Sequence, residues 1–240
     1  MKTNKILLGV ALALIVYLGI SSFGFLSNIK GSGNVIKETR DVATFHAIEV
    51  GGAFEVFIEQ GTPQSVIVES DDNIVPTIKT KVKNGELEIS NDKSINNATT
   101  LKITIIVANL DDIDISGACN MKSANGFSSN EMDIEGSGAS KIEMSIKSKK
   151  LNLDFSGAAN GDFTGSTSTL GIEASGAADI DCENLIADVV AVDASGASSV
   201  SVTAEKIIKI DASGAANVNY KTDKASVDIS TSGAASTKKK

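Results

Sequence analysis

The second half of the chain repeats one pattern of apolar and polar residues around the short motif Ser-Gly-Ala. Counted back from the glycine, the fourth residue is aliphatic in all seven copies, and the sixth is apolar in all but the first. Apolar positions two residues apart, with polar residues between them, predict β-strands that turn one face inward. Successive copies lie 18 to 21 residues apart, with their glycines at Gly117, Gly138, Gly157, Gly176, Gly196, Gly214 and Gly233.

Each repeat is expected to form one strand, a tight corner at Ser-Gly-Ala and a second strand, followed by a polar turn such as residues 203–206. At about 3.3 Å per residue, one repeat traces a path of roughly 60 Å. This path is too short for a propeller blade, and the leucine-rich repeat signature is missing. The sequence therefore predicts an all-β, single-domain parallel β-helix or solenoid with coils of about 19 residues, right-handed as parallel crossovers generally are.

The seven repeat glycines are predicted to be the structural corners of these coils. Glycine permits a positive φ, which turns a strand sharply, and the flanking serine and alanine let stacked corners approach one another. A bulky residue at any of these positions should therefore cost stability.

The N-terminal half carries a less regular version of the same pattern. With Gly52 placed at the corner, Ile48 takes the aliphatic position and Glu49 the acidic one. The pair Asn84-Gly85, which stands between alternating apolar runs, predicts a tight turn. We divide the domain, residues 31–240, into irregular coils at 31–110 and regular repeats at 111–240, with no linker between them.

The residue three places before the glycine is acidic in six of the seven repeats. Unpaired carboxylates must face water, and in stacked coils they would stand roughly 4.8 Å apart and repel one another by about 1 kcal/mol. Two interpretations stay open: weak binding of divalent cations through carboxylate oxygens, or a solvated face that discourages lateral aggregation. The column consists of Asp114, Glu135, Asp154, Glu173, Asp193 and Asp211.

Residues 1–26 have the features of an export signal. Lys2 and Lys5 precede an apolar run without charges, which is typical of a segment that leaves its positive end in the cytosol. Because the run is about as long as a membrane-spanning helix, a cleaved signal peptide and an N-terminal membrane anchor both stay open. The protein is expected in the periplasm, in the cell envelope or at the cell surface, contacting the membrane only through this segment.

Charge and composition exclude several functions. With 22 Lys and Arg against 30 Asp and Glu, the net charge of −8 opposes binding to nucleic acid. His46 is the only histidine, so no pair of imidazoles can bind zinc, and a Ser-His-Asp triad would depend on this one residue. Its alternation with Phe45 favours a surface position. We therefore expect no catalytic residues and no cofactor.

Cys119 and Cys182 are the only cysteines. They belong to repeats three steps apart, which separates them by roughly 14 Å, whereas a disulfide requires Cα atoms within about 7 Å. The sequence therefore predicts two free thiols despite export. Cys182 should take the inward position that Val202 occupies in the next repeat, and act as a small buried hydrophobic residue.

One stretch of the chain resembles a known family. The segment GSGNVIKETRDVATFHAIEVGGAFEVFIEQG, followed by KNGELEIS and then by the D-x-SGA repeats, is similar to the head GIN domain family of exported bacterial proteins, described as "putative autotransporter adhesins". The similarity runs from about Gly31 to the C-terminus. It implies a β-helical fold, export and an adhesive role, and it brings no established catalytic residues. Many members begin with a lipoprotein signal, whereas this chain has no cysteine near the end of its apolar run.

Together these features predict an exported, non-enzymatic β-helix that serves as an interaction module of the bacterial envelope or surface. Its partner would be a surface glycan or an envelope protein. We expect a monomer, because Lys238, Lys239 and Lys240 would cap the last coil with charge. Two alternatives stay open: a polysaccharide-active β-helix enzyme (lyase or hydrolase), against which the lack of long loops argues, and a structural scaffold that stacks end to end.

Overall fold

The structure is a computed structural model that describes residues 28–240. These residues form an all-β fold with one short 3-10 helix, η1 (Val75–Thr77), and no helix among them is long and apolar enough to cross a membrane. The expected signal or anchor, 1–26, lies outside the described residues. In chain order the strands are β1 (Ile29–Lys30), β2 (Val35–Arg40), β3 (Ala47–Gly52), β4 (Glu55–Gln60), β5 (Ser65–Asp71), β6 (Ile78–Lys83), β7 (Glu86–Asn91), β8 (Ile95–Asn96), β9 (Leu101–Val107), β10 (Asp112–Gly117), β11 (Asn120–Ser123), β12 (Phe127–Ser128), β13 (Glu131–Gly136), β14 (Lys141–Phe155), β15 (Asn160–Ala174), β16 (Asp179–Ala194), β17 (Ser199–Ala212), β18 (Asn217–Lys221), β19 (Ser226–Thr231) and β20 (Ser236–Lys239).

The repeats stack as parallel strands, one coil on the next, which confirms the predicted solenoid. Strands that end near the corner glycine form the first wall, and strands that begin after it form the second wall. The long strands β14 to β17 begin on the second wall and end on the first. Equivalent residues of successive repeats pair directly, so that Ile134 lies beside Leu153 and Leu153 beside Ile172. The repeat of the sequence is thus the repeat of the structure.

The inward columns of both walls form one continuous core. The aliphatic residues four places before the glycine are almost fully buried from Ile113 to Ile210, and Phe155 packs edge-on against Phe163 with 5.9 Å between ring centroids. Each fully buried side chain of this size contributes about 1.5–3 kcal/mol relative to an exposed one. The period-two spacing read from the sequence therefore marks the residues that hold the coils together.

The corner glycines stack directly on one another, and their φ values lie between +69° and +81°. Gly176 shows why a side chain is excluded there: a Cβ added to it would lie 2.8 Å from the carbonyl oxygen of Gly157. The amide of the residue that follows each glycine donates to the carbonyl of the glycine one coil earlier, as Ala177 does to Gly157 at 2.7 Å. The tight corner is thus both a turn and a stacking contact.

The turn expected at residues 203–206 is wrong. Strand β17 runs unbroken from Ser199 to Ala212, and Ala204 is buried. Thr203 stabilises the extended path by donating a hydrogen bond from Oγ1 to the Glu183 carbonyl at 2.7 Å. Shifts of register between β16 and β17 absorb the different coil lengths. Residues 203–206 thus belong to a third side of the coil, which leads from the second wall to the first wall of the next coil. This third side is built from bulged strands, whose polar sequence had suggested a turn.

The N-terminal coils are stacked out of chain order. β3 pairs with β10 and places Gly52 beside Gly117, so the corner assigned to Gly52 is confirmed. The later strands β7 and β9 lie on the other side of β3 and β4. The chain thus builds one coil, departs from it, and returns to place a further coil outside it.

Antiparallel strands cover this N-terminal end. β6 and β7 form a hairpin whose turn, Asn84-Gly85, has positive φ at both residues, as predicted. β5 pairs antiparallel with β9, and β2 pairs antiparallel with β5. Residues 31–110 are therefore more than irregular coils, because antiparallel strands extend the solenoid at this end, with β2 and β6 as its edge strands within the described residues. We call these antiparallel strands the N-terminal cap.

A buried carboxylate ties the start of the domain to this cap. Asp71 is fully buried and accepts hydrogen bonds from the amides of Gly33 and Thr99, at 2.6 and 2.7 Å, and from the Thr99 hydroxyl at 2.9 Å. These donors hold the pKa of Asp71 below its ordinary value. The glycine at Gly31 leaves room for the carboxylate, since a Cβ there would lie 2.6 Å from it. The segment Gly31-Ser32-Gly33-Asn34 thus packs around the Asp71 carboxylate and donates a hydrogen bond to it.

Both cysteines are free and buried, as predicted. Cys182 lies beside Val202 in the pairing of β16 with β17, which is the position expected for it. Burial raises the pKa of both thiols. These residues therefore behave as core side chains.

Candidate functional site

The acidic column of the sequence becomes one straight ladder on the first wall. Each carboxylate pairs in register with the next coil's carboxylate, so the side chains project from the same side of the sheet. In stacking order the predicted members are Asp114, Glu135, Asp154, Glu173, Asp193 and Asp211. We call this set the acidic ladder.

The acidic ladder extends beyond its predicted members toward the N-terminal cap. Glu49 pairs with Asp114, and Glu88 pairs with Glu49. Glu49 follows from the Gly52 frame, but Glu88 belongs to a strand placed out of chain order, which no local spacing reveals. The acids of a second column lie two residues away on the same strands: Glu86, Asp112 and Asp133.

Burial and neighbouring acids raise the pKa of three carboxylates near the N-terminal end of this surface. Partial burial raises the pKa of Asp114, and the nearby Asp112 and Glu86 raise it further. The pKa values of Asp112 and Glu135 are raised by the same two causes, burial first and neighbouring acids second. The N-terminal half of the acidic ladder therefore carries charge at a cost in folding free energy.

Three carboxylates converge at the N-terminal end of this surface. The oxygens of Glu49, Glu86 and Glu88 lie within 4.8 Å of one another, and within residues 28–240 they form the one group of three with a spacing suited to a metal ion. Oxygen ligands of this kind are those that Ca²⁺ prefers. Cation binding by the acidic ladder, however, stays a prediction.

A shallow groove runs along the C-terminal half of the acidic ladder. Its volume is about 330 Å³. Its floor is formed by Gly171, which has no side chain, and by the methyl group of Ala191, and these two residues leave a depression between Asn152 and Lys209. Lys209 forms an ion pair with Asp211 at 3.1 Å. One edge of the groove is lined by the four ladder acids Asp154, Glu173, Asp193 and Asp211.

The sequence did not reveal this groove. Its floor arises because two small residues, Gly171 and Ala191, pair in neighbouring coils at a position where other coils carry larger polar side chains. In the sequence, the groove could have been recognised only from the small residues Gly171 and Ala191 in two successive repeats, five places before the glycine. We call this depression the ladder groove.

The only histidine lies on the surface, as predicted, and has a carboxylate partner. His46 Nδ1 lies 2.9 Å from Asp111 Oδ1, and both side chains are more than half exposed. Asp111 is also the one polar residue at an otherwise apolar repeat position, and the structure places it before β10 begins. The pair joins the first coil to the regular repeats, and the imidazole packs against the turn at Gly85.

A second depression lies on the third side, where the register shifts. Its volume is about 390 Å³, and it combines the exposed side chain of Ile186 with Lys206, Lys221 and Lys224. Lys206 is paired with Asp188 at 3.0 Å. The bulge that exposes Ile186 follows from unequal coil lengths, which the sequence shows only as a spacing of 20 residues in place of 19.

Comparison with known proteins assigns the family. The family model described as "Putative auto-transporter adhesin, head GIN domain" matches residues 44–223. The chain belongs to the head GIN domain family. The resemblance seen in the sequence is therefore confirmed.

Solved structures share the fold of this head GIN domain. A putative adhesin from Bacteroides fragilis is 25% identical, with a TM-score of 0.83, and the match covers 88% of this chain and 99% of that one. A putative adhesin from Parabacteroides merdae is 18% identical, with a TM-score of 0.73 and coverages of 88% and 98%. A putative lipid binding protein from Parabacteroides distasonis is 21% identical, with a TM-score of 0.72 and coverages of 88% and 99%. Among curated proteins, none matches the chain significantly.

Proposed function

We propose that this head GIN domain is an exported, non-enzymatic interaction module of the cell envelope or surface, with an adhesive role. The observation that carries the proposal is the uninterrupted first wall, on which the acidic ladder and the ladder groove offer an extended surface across successive coils. Membership of a family described as adhesins supports it. The partner we propose is a surface glycan or an envelope protein.

The geometry of the wall fits binding better than turnover. The strands β14 to β17 follow one another with short corners, so the regular coils carry no long loop to enclose a substrate. Enzymes need groups fixed around a reacting atom and shielded from water, whereas the ladder groove is shallow. Carboxylates in a row can instead accept several hydrogen bonds from hydroxyl or ammonium groups along an extended partner.

A binding screen with matched variants tests this function. Purified residues 28–240 would be immobilised and exposed to isolated envelope glycans and envelope proteins, and saturable binding recorded. The variant D154N/E173Q/D193N removes three charges from the ladder groove and should abolish binding to the partner found. The control D162N/D179N/D181N removes three charges from the second wall and should retain binding.

Two results would overturn the proposal. One is equal loss of binding in the two variants, which would show that net charge alone governs the interaction. The other is hydrolysis or elimination of an acidic polysaccharide by the purified domain that a single carboxylate substitution abolishes. That result would favour the polysaccharide-active enzyme instead.

A further inference from the structure

The two most exposed large apolar side chains of the described residues lie in neighbouring regular coils. Ile186 in β16 is 49% exposed, and Ile207 in β17 is 48% exposed. The four others, in β2 and β19, are 37–39% exposed. Apolar side chains left in water gain none of the free energy of burial. Two of them in adjacent coils form an apolar patch of the kind that marks an interaction surface.

Ile186 lies midway along a column that begins and ends with a lysine. The column takes one residue from each of five successive coils along the third side: Lys147, Ser166, Ile186, Thr203 and Lys221. Because stacked strands lie about 4.8 Å apart, the Cα atom of each lysine is about 10 Å from that of the isoleucine, and the two lysines are about 19 Å apart. The column therefore has an apolar centre and two basic ends.

A second column lies beside the first, where the third side passes into the first wall. It consists of Lys150, Thr169, Val189 and Ile207, and it likewise changes from basic to apolar along the stack. Val189 follows Ile186 by three residues in β16, so the two columns lie about 10 Å apart. The apolar residues of the two columns are therefore neighbours on this surface.

Lysines dominate the charge of the third side. Six lysines and four acids lie in its segments 145–150, 164–169, 183–189, 203–207 and 221–225. The acids include Glu205 and Asp223, which line the depression at Ile186. This excess of positive charge contrasts with the net charge of −8 of the chain. The lysines of these segments that form no ion pair within residues 28–240 are Lys147, Lys149, Lys221 and Lys224. We call these four lysines, together with Ile186 and Ile207, the lateral patch.

The spacing of the lateral patch suits a bilayer surface better than a single ion. Lys147 and Lys221 stand too far apart to bind the same phosphate, and a phosphate bound to either lysine alone would leave Ile186 in water. An anionic bilayer offers phosphates to all four lysines at once, and it offers an apolar boundary to the isoleucines between them. Lysine suits this boundary, because its aliphatic stem can lie along apolar surface while the ammonium group stays among the headgroups.

We propose that the lateral patch docks this domain on the surface of a bilayer that contains anionic lipids. Ile186 and Ile207 enter the boundary between headgroups and acyl chains, and the four lysines contact headgroup phosphates. Because the patch runs along the stack, the solenoid lies on its side. This contact is additional to the one expected through residues 1–26. It leaves the acidic ladder, which anionic headgroups repel, available to the partner of the proposed function.

Flotation with lipid vesicles tests the docking. Residues 28–240 carry the whole fold, since the match to the solved B. fragilis structure covers 99% of that chain. They would be mixed with vesicles of phosphatidylcholine alone, or of phosphatidylcholine and phosphatidylglycerol in equal amounts. The protein should float with the mixed vesicles only, although its net negative charge opposes this. Equal flotation with both kinds of vesicle, or flotation with neither, would overturn the proposal.

Matched lysine variants locate the contact. K147E/K221E should lower the partition onto mixed vesicles by about tenfold or more. K30E/K81E makes the same change of charge on exposed lysines of β1 and β6 and should leave the partition unchanged. Equal losses in the two variants would show that net charge alone governs flotation and would contradict the assigned patch. Glycerol 3-phosphate should not release the bound protein, and release would show a site for a free phosphate compound instead.

Matched apolar variants test the insertion of the isoleucines. I186S/I207S should lower the partition by about fivefold or more, and all of these side chains are exposed, so the fold should be retained. V35S/I36S removes two exposed apolar side chains from β2 and should bind as the wild type does. An unchanged partition in I186S/I207S, or an equal loss in V35S/I36S, would contradict the proposal.

Discussion

The corner glycine has two roles: it adopts a positive φ, and it lets successive coils stack closely. Comparison of two glycine-to-alanine variants separates these roles. In G176A the alanine must adopt a left-handed φ of +69°, and its Cβ would lie 2.8 Å from the Gly157 carbonyl oxygen. G33A also has a positive φ, of +87°, but its Cβ would have nothing within 4 Å. We expect G33A to lower the free energy of unfolding by about 1 kcal/mol and G176A by about 3 kcal/mol or more.

Urea denaturation of both variants measures this difference. The difference between the two losses in unfolding free energy reports the stacking contact, because the penalty for a positive φ is common to both variants. Equal losses in the two variants would mean that the corners do not touch as described.

Cys182 is predicted to act through its volume. C182V replaces the thiol with the side chain that Val202 supplies in the next coil, and should cost less than about 1.5 kcal/mol. C182S buries a hydroxyl in the same apolar position and should cost about 1–3 kcal/mol. Thermal denaturation compares the two, and a serine variant as stable as the valine variant would show that the site is not apolar. The native thiols should resist alkylation, because burial raises their pKa values.

At the scale of the strand, the acidic ladder should make the fold more stable in mild acid. The pKa values of Asp112, Asp114 and Glu135 are raised in the native state. As the pH falls from neutral toward about 4, the native state therefore takes up protons before the unfolded state does, and the free energy of unfolding rises. D114N should be more stable than the wild type at pH 7, by less than about 1 kcal/mol since the carboxylate is partly solvated.

The advantage of D114N should shrink as the pH falls toward 4, because the raised pKa of Asp114 lets the native wild-type protein take up a proton there before the unfolded chain does. Its control is E59Q, because Glu59 lies on the second wall beside Ile106 rather than beside another acid. A pH-independent gain in D114N, or an equal gain in E59Q, would show that the ladder carries no such cost. Asp71 sets the opposite limit, because its pKa is lowered, so its contribution is lost as the pH falls below about 4.

At the scale of the whole molecule, the regular repeats could be predicted and the ends could not. The spacing around each glycine is local, so the core columns, the corners and six ladder acids follow from the sequence. The position of β7 outside β3, and with it Glu88, depends on pairings between distant segments. The hydrogen bond from the Gly33 amide to Asp71 likewise joins residues 38 positions apart. The ladder groove forms because two small residues pair between neighbouring coils. The bulges of the third side could not be predicted, because its sequence lacks a regular spacing of apolar residues.

We expect the first wall to bind its partner without altering it, and mass spectrometry of the partner measures this. A glycan or envelope protein that binds residues 28–240 saturably would be incubated at length with a stoichiometric amount of the protein and then recovered. We expect the partner to keep its mass, to be no longer recovered on the variant D154N/E173Q/D193N, and still to be recovered on D162N/D179N/D181N. A partner recovered in shortened or unsaturated form would contradict it.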